Sequence, residues 1–326
     1  MITGNVAVLL NLLSIAVLAF AICICIVTIS TRLFLPNLES LTFNIRKIAL
    51  WSIVSSPWWV AGVCVSLFWP GERAALSLTW LSEFAHWHHI DIFSYSSWHS
   101  IALLVAGLFL SWTVFKAVYV RHKQVQVMSD LLQLSNVTAA KTSNNHAYFL
   151  LPLSTPAAFT SGFVEPKVYL TSGLTEKITE QELDIVVQHE LAHVEAKDPL
   201  FKVVYSVFAS FYPVIVKFAL IKQYILVTEQ MADNAVTETY DHLDVAQTLI
   251  NVARMQRSVS LGCDGLQTSY FGNDQTSIRV ERLVYPLNAS SKVVLILTIL
   301  LFASIPVLTA STVDSIHHII ETFFSH

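Results

Sequence analysis

The stretch of sequence that decides the fold is TEKITEQELDIVVQHELAHVEAKD, residues 175–198. It contains His189, Glu190 and His193 in the pattern HExxH. In an α-helix, residues four positions apart lie on one face, about 6 Å apart along the axis. Two imidazoles at this spacing can bind one zinc ion, and the glutamate beside them can carry a proton. The pattern therefore predicts a catalytic zinc site that needs one more protein ligand from elsewhere in the chain.

Local signals favour a helix over residues 179–198. Thr179 and Glu182 have the spacing of a capping box, so the helix is expected to begin there. Pro199 marks a break or the start of a new element. Apolar residues recur at helical spacing on the side away from the histidines, namely Leu183, Val186, Val187, Leu191 and Val194. The sequence thus predicts a helix with one buried face and one metal-binding face.

The best candidate for the third ligand lies in TEQMAD, residues 228–233. Glu229 and Asp233 are four positions apart and share a helical face. Glu229 can complete a His-His-Glu set, and Asp233 can then accept the free N–H of a ligand imidazole and fix its tautomer. Asp198 is a second polar candidate for orienting the site. Each of these carboxylates is also compatible with an ordinary solvated helix face.

Composition indicates a membrane protein. The 326 residues are 54% hydrophobic and only 13% charged, and the mean hydropathy is +0.58. The net charge of −4 offers no general basic surface, so direct nucleic-acid binding is not expected. Cys23, Cys25 and Cys64 fall in apolar runs and Cys263 stands alone. The cysteines therefore predict neither a disulfide framework nor a thiolate metal site.

Four apolar runs have the length of membrane spans, at residues 5–29, 48–69, 101–120 and 293–309. Basic residues cluster between the first two runs, after the third and before the fourth, including Arg32, Arg46, Lys47, Arg121, Lys123 and Lys292. By the positive-inside rule, the first connection and the long central segment are cytoplasmic, and both termini and the loop 70–98 face outward. The expected location is a bacterial-type inner (cell) membrane.

These features predict a mainly α membrane protein of four transmembrane helices, with a cytoplasmic α+β zinc protease domain inserted between the third and fourth. The expected division is a three-span region at 1–123 with the outer loop 70–98, the protease domain at 124–287, and the fourth span with a short tail at 288–326. The apolar segment 199–228 is too short for two crossings, and we expect two helical pieces around Pro213 that lie against the membrane face or the other spans.

Residues 157–174 carry glycine, proline and β-branched residues and predict two short strands or a hairpin. A strand edge beside a zinc helix could pair with an extended peptide, although an ordinary structural hairpin fits as well. The predicted substrate-binding residues are Ala158, Phe159, Thr160, Ser161 and Gly162.

The run FTSGFVEPKVYLTSGLTEKITEQELDIVVQHELAHVEAKDPL, residues 159–200, followed by EQMAD at 229–233, resembles the membrane-bound gluzincins. Within that clan it most resembles the BlaR/MecR-type antirepressor metallopeptidases, and HtpX and CaaX-prenyl proteases are more distant. The resemblance implies one catalytic Zn²⁺ bound by His189, His193 and Glu229, with Glu190 as the base and Asp233 behind the ligands. The chain lacks the penicillin-binding sensor of the BlaR/MecR type after its last span, so β-lactam sensing is not expected.

A later stretch, NDQTSIRVERL at 273–283, resembles the arginine-containing segment of HtpX-type enzymes. It indicates Arg279 as an active-site residue ahead of Arg282, unless both arginines simply lie at the lipid interface. The oxyanion of peptide hydrolysis needs a donor beyond zinc, and Arg279, Tyr240 and His242 are the candidates.

The expected function is a zinc-dependent endopeptidase that hydrolyses peptide bonds of a cytoplasmic or membrane protein, acting as an antirepressor-like signalling protease on a repressor or on itself. The alternatives are quality control of membrane proteins of HtpX type and a non-catalytic, zinc-stabilised membrane signalling subunit. Oligomerisation is left open. Histidines of the outer loop and tail, His86, His88, His89, His99, His317, His318 and His326, either sense an external metal or simply line the interface.

Overall fold

The computed structural model describes residues 1–69, 90–95, 97–134, 137–162, 165–260, 272–286 and 290–324. This part of the chain is mostly helical, as the composition predicts. The helices are α1 (Asn5–Phe34), α2 (Phe43–Phe68), α3 (Trp98–Leu134), α4 (Ser172–Thr175), α5 (Glu180–Glu195), α6 (Asp198–Ala209), α7 (Val214–Val236), α8 (His242–Ser260), α9 (Gly272–Val284) and α10 (Lys292–Phe324). The strands are β1 (Ile2–Thr3), β2 (Ile92–Phe93), β3 (Thr138–Lys141), β4 (Ala147–Leu151), β5 (Ala158–Ser161) and β6 (Lys167–Thr171), and a 3₁₀ turn covers Pro36–Ser40.

Four of the described helices are long and apolar enough to cross a bilayer. They comprise Asn5–Phe34, Phe43–Phe68, Trp98–Val120 and Lys292–Val313. They contain the predicted apolar runs except Trp69, the last residue of the second run, which follows its helix. The first two bury 39% and 44% of their apolar windows against other parts of the chain, whereas the third buries 6%. The protein core within the apolar layer is therefore built mainly around α1 and α2.

Helix α5 begins and ends where its local chemistry requires. The Thr179 side chain accepts a hydrogen bond from the Glu182 backbone N–H, and the Glu182 carboxylate accepts one from the Thr179 N–H. This confirms the predicted capping box. After α5, Lys197 adopts a left-handed conformation with φ of 52°, and α6 begins at Asp198 with Pro199 in its first turn. The helix therefore ends three residues before the predicted end at residue 198, because Lys197 leaves the right-handed helical conformation.

A four-stranded sheet of order β3-β4-β6-β5 covers one side of α5. Strands β5 and β6 are antiparallel, with Ala158 opposite Leu170 and Ser161 opposite Lys167, which confirms the predicted hairpin. Strands β4 and β6 are parallel. The outer side of β5 pairs with no other strand among the described residues, so β5 is an edge strand beside the metal-binding helix.

The segment after α5 forms a helical hairpin that shares a core with the spans. Helices α6 and α7 are separated by Pro213, which precedes the first residue of α7, as predicted from the sequence. Their inner residues pack in the same hydrophobic cluster as α1 and α2, and these residues are Tyr205, Ala209, Tyr212, Val216, Leu220, Tyr224 and Val227. The hairpin is thus part of the spanning core rather than of a separate soluble domain, and the domain boundaries at 123 and 287 stay a prediction.

The predicted outer histidine cluster falls mostly on residues that the structure does not describe. His86, His88, His89 and His326 lie outside the described residues, as do the side chains of His317 and His318. His99 is 8% exposed, and its ring stacks on Trp98 with the ring centroids 4.0 Å apart. An external metal site therefore stays a prediction.

Candidate metal centre

Two helices bring the predicted ligands together. His189 and His193 project from α5, and Glu229 projects from α7. His189 Nε2 lies 3.4 Å from Glu229 Oε2, and His193 Nε2 lies 3.4 Å from Glu229 Oε1. One ligand atom from each residue lies within 4.8 Å of the other two. Two imidazole nitrogens and one carboxylate are a zinc donor set with room for a fourth ligand, which is the composition of a catalytic site.

Buried carboxylates hold the far nitrogen of each imidazole. His189 Nδ1 is 3.1 Å from Asp233 Oδ1, and His193 Nδ1 is 2.7 Å from Asp198 Oδ2. Both aspartates are nearly inaccessible to solvent. A carboxylate at Nδ1 keeps the proton on that nitrogen and leaves the Nε2 lone pair for a metal. The imidazole orientation therefore fits the donor set that zinc requires.

The protonation of the two histidines follows from the same carboxylates. Burial alone would lower the pKa of His189, but Asp233 and Glu229 outweigh burial and raise the pKa to about 9. Burial also opposes the charged form of His193, and hydrogen bonds from its ring to Asp198 and Glu229 raise its pKa. A metal must therefore displace protons at this site, so that binding weakens as the pH falls.

Two cations flank the Glu229 carboxylate. Lys202 Nζ lies 3.1 Å from Oε1, and Arg279 Nη1 lies 3.2 Å from Oε2. Burial would raise the pKa of Glu229, but Lys202, the two histidines and Arg279 together hold it well below its usual range. The third ligand is thus anionic and ready to bind a metal.

Arg279 is anchored by a bidentate contact. Its Nε and Nη2 donate to Asp233 Oδ2 and Oδ1 at 2.8 and 2.7 Å. Burial would raise the pKa of Asp233, but the guanidinium lowers it to about 2. The arginine therefore keeps Asp233 in the charged form that can orient His189.

Glu190 is held from the edge strand. Thr160 Oγ1 lies 2.8 Å from Glu190 Oε2 and 3.0 Å from the Glu190 backbone oxygen, and it can donate to either. Thr160 is the third residue of β5, and Ala158, Phe159 and Ser161 complete this strand, with Gly162 following at φ of 112°. The structure thus places the predicted base beside the predicted substrate-binding strand.

The other predicted site residues, Arg282, Tyr240 and His242, lie away from the three metal ligands. Arg282 Nη2 donates to the backbone oxygen of Glu39 at 2.7 Å and has no contact with the three ligands. Tyr240 Oη donates to Asp184 on another face of α5. The side chain of His242 is half exposed beside Asp241. Of the three proposed oxyanion donors, Arg279 alone contacts a ligand of the site.

Sequence reasoning missed Lys202 as a member of the site. The available signal was a basic residue four positions after Asp198 inside an otherwise apolar helix. Residues four apart share a helix face, so a lysine at this place can reach the same site as Asp198.

An HExxH helix, a glutamate ligand from a later helix and oriented imidazoles define a metallopeptidase with an apolar, helical membrane region. Residues 119–283, which are 165 of the 326 residues, match the sequence profile of peptidase family M48. The chain belongs to this family, whose metallopeptidases are typically zinc-dependent.

Protease HtpX from two strains of Legionella pneumophila, Corby and Lens, is similar to part of this chain. Each is 32% identical over 132 residues, which covers 34% of this chain and 44% of the relative. The match thus spans less than half the length of these relatives. The narrower resemblance to the BlaR/MecR type stays a prediction.

Proposed function

We propose that this chain is an integral membrane zinc-dependent endopeptidase that hydrolyses peptide bonds of a cytoplasmic or membrane protein. The observation that carries the proposal is the pairing of both Nδ1 atoms with buried aspartates while both Nε2 atoms face Glu229. An arrangement that directs three ligand atoms toward one point is what a catalytic metal needs.

His189, His193 and Glu229 would hold the ion. Zinc bound there supplies Lewis-acid chemistry, which polarises a carbonyl and makes water easier to deprotonate at neutral pH. Asp233 and Asp198 fix the two imidazoles through their Nδ1 atoms. Arg279 stabilises the negative charge of Glu229 and Asp233 and contributes a positive charge beside the reacting group.

Glu190 is the proposed general base. Thr160 holds its Oε2, so the carboxylate has a defined position between α5 and β5. The carboxylate takes a proton from the attacking water and delivers it to the nitrogen of the leaving amine. The water oxygen forms the new C–O bond, and the C–N bond of the peptide breaks. The proton taken from the water leaves on the amine, so one water is consumed and no other reactant is needed.

The edge strand β5 is the proposed peptide-binding surface. Its inner side pairs with β6, and its outer side pairs with no described strand. An extended substrate can add to this edge through backbone hydrogen bonds, which are independent of side-chain identity. The substrate would then lie next to Glu190, because Thr160 belongs to the same strand.

Similarity to Protease HtpX and the four apolar helices support an inner-membrane location. We propose that the metal site is cytoplasmic and both termini lie outside, as the distribution of basic residues predicts. Quality control of membrane proteins is consistent with the similarity to Protease HtpX, and antirepressor signalling is the rival role. Comparing the proteomes of cells with wild-type protein and with an inactive variant distinguishes the two roles, since only the signalling role predicts a single repressor, or the protease itself, as the substrate.

The decisive experiment is Glu190→Gln in the full-length protein purified in detergent. We expect one zinc ion per chain to remain bound, because Glu190 is not a ligand, and peptide cleavage to fall at least about a hundredfold, because the proton carrier is lost. The matched control is Glu195→Gln, an exposed position on the same helix, which should retain activity. Undiminished cleavage by Glu190→Gln contradicts the mechanism, and wild-type protein with bound zinc but no proteolysis favours the non-catalytic subunit.

A further inference from the structure

Two consecutive basic residues near the start of α2, Arg46 and Lys47, contact the helices α6 and α7 beside the metal site. Arg46 is 1% exposed, and its Nη1 donates to Gln230 Oε1 on α7 at 3.0 Å. Its Nη2 donates to Gln223, seven residues or about two turns earlier on the same helix. Gln230 is the neighbour of the ligand Glu229 in the sequence. Arg46 therefore fixes α7 at the position from which the third ligand projects.

The environment of Arg46 is costly for the fold. Its described acceptors are neutral amides, and its Nε has no hydrogen-bond partner. The nearby carboxylate is that of Glu39, which accepts a hydrogen bond from Gln223 rather than from the guanidinium itself. A buried charge paired in this indirect way is more expensive than an apolar side chain of the same size. Stability alone does not explain such a residue, whereas fixing the position of α7 against α2 does.

Lys47 reaches the other side of the site. Its Nζ lies 3.7 Å from Asp198 Oδ1, while Asp198 Oδ2 holds His193 Nδ1 at 2.7 Å. Asp198 is 3% exposed, and its Oδ1 has no hydrogen bond. A buried carboxylate needs a compensating charge, and Lys47 supplies it. The lysine therefore acts on His193 through Asp198.

About one turn after Lys47, an aromatic side chain of α2 also contacts both α6 and α7. The ring of Trp51 on α2 lies 5.3 Å from Tyr205 on α6 and 5.8 Å from Tyr224 on α7, measured between centroids. Tyr205 and Tyr224 stack at 4.1 Å. Close-packed interiors transmit displacements rather than absorb them. Helix α2 thus holds α6 and α7 together on the side of the site that faces the spans.

We propose that Arg46 and Lys47 are positioning residues of the metal centre, so that the seating of a membrane-spanning helix sets the geometry of the ligands. Lys47 orients His193 through Asp198, and Arg46 places Glu229 through Gln230. The proposal rests on the proposed function only in taking His189, His193 and Glu229 as the ligands. It means that the metal site is complete only when α2 is in place.

The test measures metal binding by the full-length protein in detergent. Zinc affinity is determined by competition with a chelator, and the absorption spectrum of the Co²⁺-loaded protein reports ligand geometry. Lys47→Met should weaken zinc binding about fivefold, below the 10–100-fold typical of residues that contact a ligand directly, and should shift the cobalt bands at full loading. Lys47→Arg keeps the charge and should restore both. Lys123→Met, an exposed lysine on α3, is the matched control and should change neither.

A double-mutant cycle shows whether Lys47 acts through Asp198. Adding Lys47→Met to Asp198→Asn should change zinc affinity by less than about twofold, because the asparagine has already removed the charge that Lys47 pairs with. If the two substitutions instead weaken zinc binding independently, so that their fold-changes multiply in the double mutant, the role of Lys47 through Asp198 is overturned. For the Arg46 part, Gln230→Met is preferred to a substitution of the buried arginine itself, since Arg46 keeps its bond to Gln223 and the protein is more certain to fold.

Gln230→Met should also weaken zinc binding and shift the cobalt bands. A wild-type spectrum and affinity in this variant overturn the role of Arg46. The outcome also separates this proposal from the proposed function. Wild-type protein that binds no stoichiometric zinc removes the proposed function, whereas wild-type protein that binds zinc with Lys47→Met indistinguishable from it removes only the positioning role.

Discussion

At the scale of single residues, the Glu229 carboxylate is paired with two cations, Lys202 and Arg279, before any metal binds. Lys202 Nζ contacts Oε1, the oxygen that also faces His193 Nε2, and Arg279 contacts Oε2. Arg279 has a second anchor in Asp233, whereas Glu229 is the only polar partner of Lys202 among the residues that the structure describes. A metal that binds Oε1 must therefore displace the Lys202 ammonium group from this oxygen.

Lys202→Met should raise zinc affinity. Removing a cation that competes for the third ligand favours the metal, and the expected gain is about threefold to fivefold, the scale of a partly exposed ion pair. Chelator competition on the purified protein measures the change. Lys177→Met, at an exposed position before α5, should have no effect. Weaker zinc binding by Lys202→Met would mean that the lysine orients Glu229 rather than competing for it.

At the scale of elements, Asp184 ties α5 to the sheet and to the turn before α8. It is 1% exposed and accepts hydrogen bonds from Thr142, Asn144, His146, Gln188 and Tyr240. Burial alone would raise the pKa of Asp184, but these donors hold it far below the usual range. The carboxylate thus fixes the rear of the helix that carries the histidines.

Asp184→Asn should destabilise the protein by about 2–3 kcal/mol, because an amide cannot accept all the hydrogen bonds that the buried carboxylate accepts, including the one from buried Thr142. Thermal unfolding in detergent, followed by tryptophan fluorescence, measures the loss at pH 7. Because the pKa of Asp184 is depressed by folding, its contribution is complete above about pH 4, the value in an unfolded chain, and declines as the pH falls below that. The gap between wild type and variant should therefore narrow in acid.

The control for this prediction is Asp130→Asn, an exposed position on α3, which should unfold like the wild type. A gap that widens as the pH falls from 5 to 3 would contradict the assigned role of the carboxylate.

Local patterns predicted the elements that carry the site. The capping box at Thr179 and the HExxH spacing act within a few residues, so α5 could be located from the sequence. Pro213 likewise marks the division between α6 and α7. Contacts between distant residues carry no such signal, because nothing in the sequence relates Arg46 to Gln230, 184 positions away. Arg279, 46 positions from Asp233, was indicated only by resemblance to known enzymes.

At the scale of the whole molecule, the catalytic region and the spans share one hydrophobic core. Tyr205 and Tyr212 are almost completely buried against α1 and α2, together with Leu220 and Tyr224 of α7. The sequence shows these residues as an apolar run but does not show which surface covers them. A zinc domain bounded at residues 124 and 287 would therefore expose the inner face of the α6–α7 hairpin.

A fragment of residues 124–287 should accordingly be insoluble or membrane-associated without detergent. The apolar inner face of the α6–α7 hairpin would be exposed to water in this fragment, and large exposed apolar patches drive association. Fractionation and size-exclusion chromatography test this, with the full-length protein in detergent as the control. A soluble, monodisperse fragment that binds zinc would contradict the shared core and would support an independent protease domain.

The corner at Lys197 limits how this site can vary. It is one of two non-glycine residues with positive φ in the described chain, and it directly precedes Asp198. Glycine or asparagine can adopt this conformation readily, whereas a β-branched residue is strained there by about 1–2 kcal/mol. The connection from His193 to Asp198 is also too short to absorb an insertion, because one added residue would rotate the aspartate away from the imidazole. Natural variation between these two positions should therefore change identities but not length.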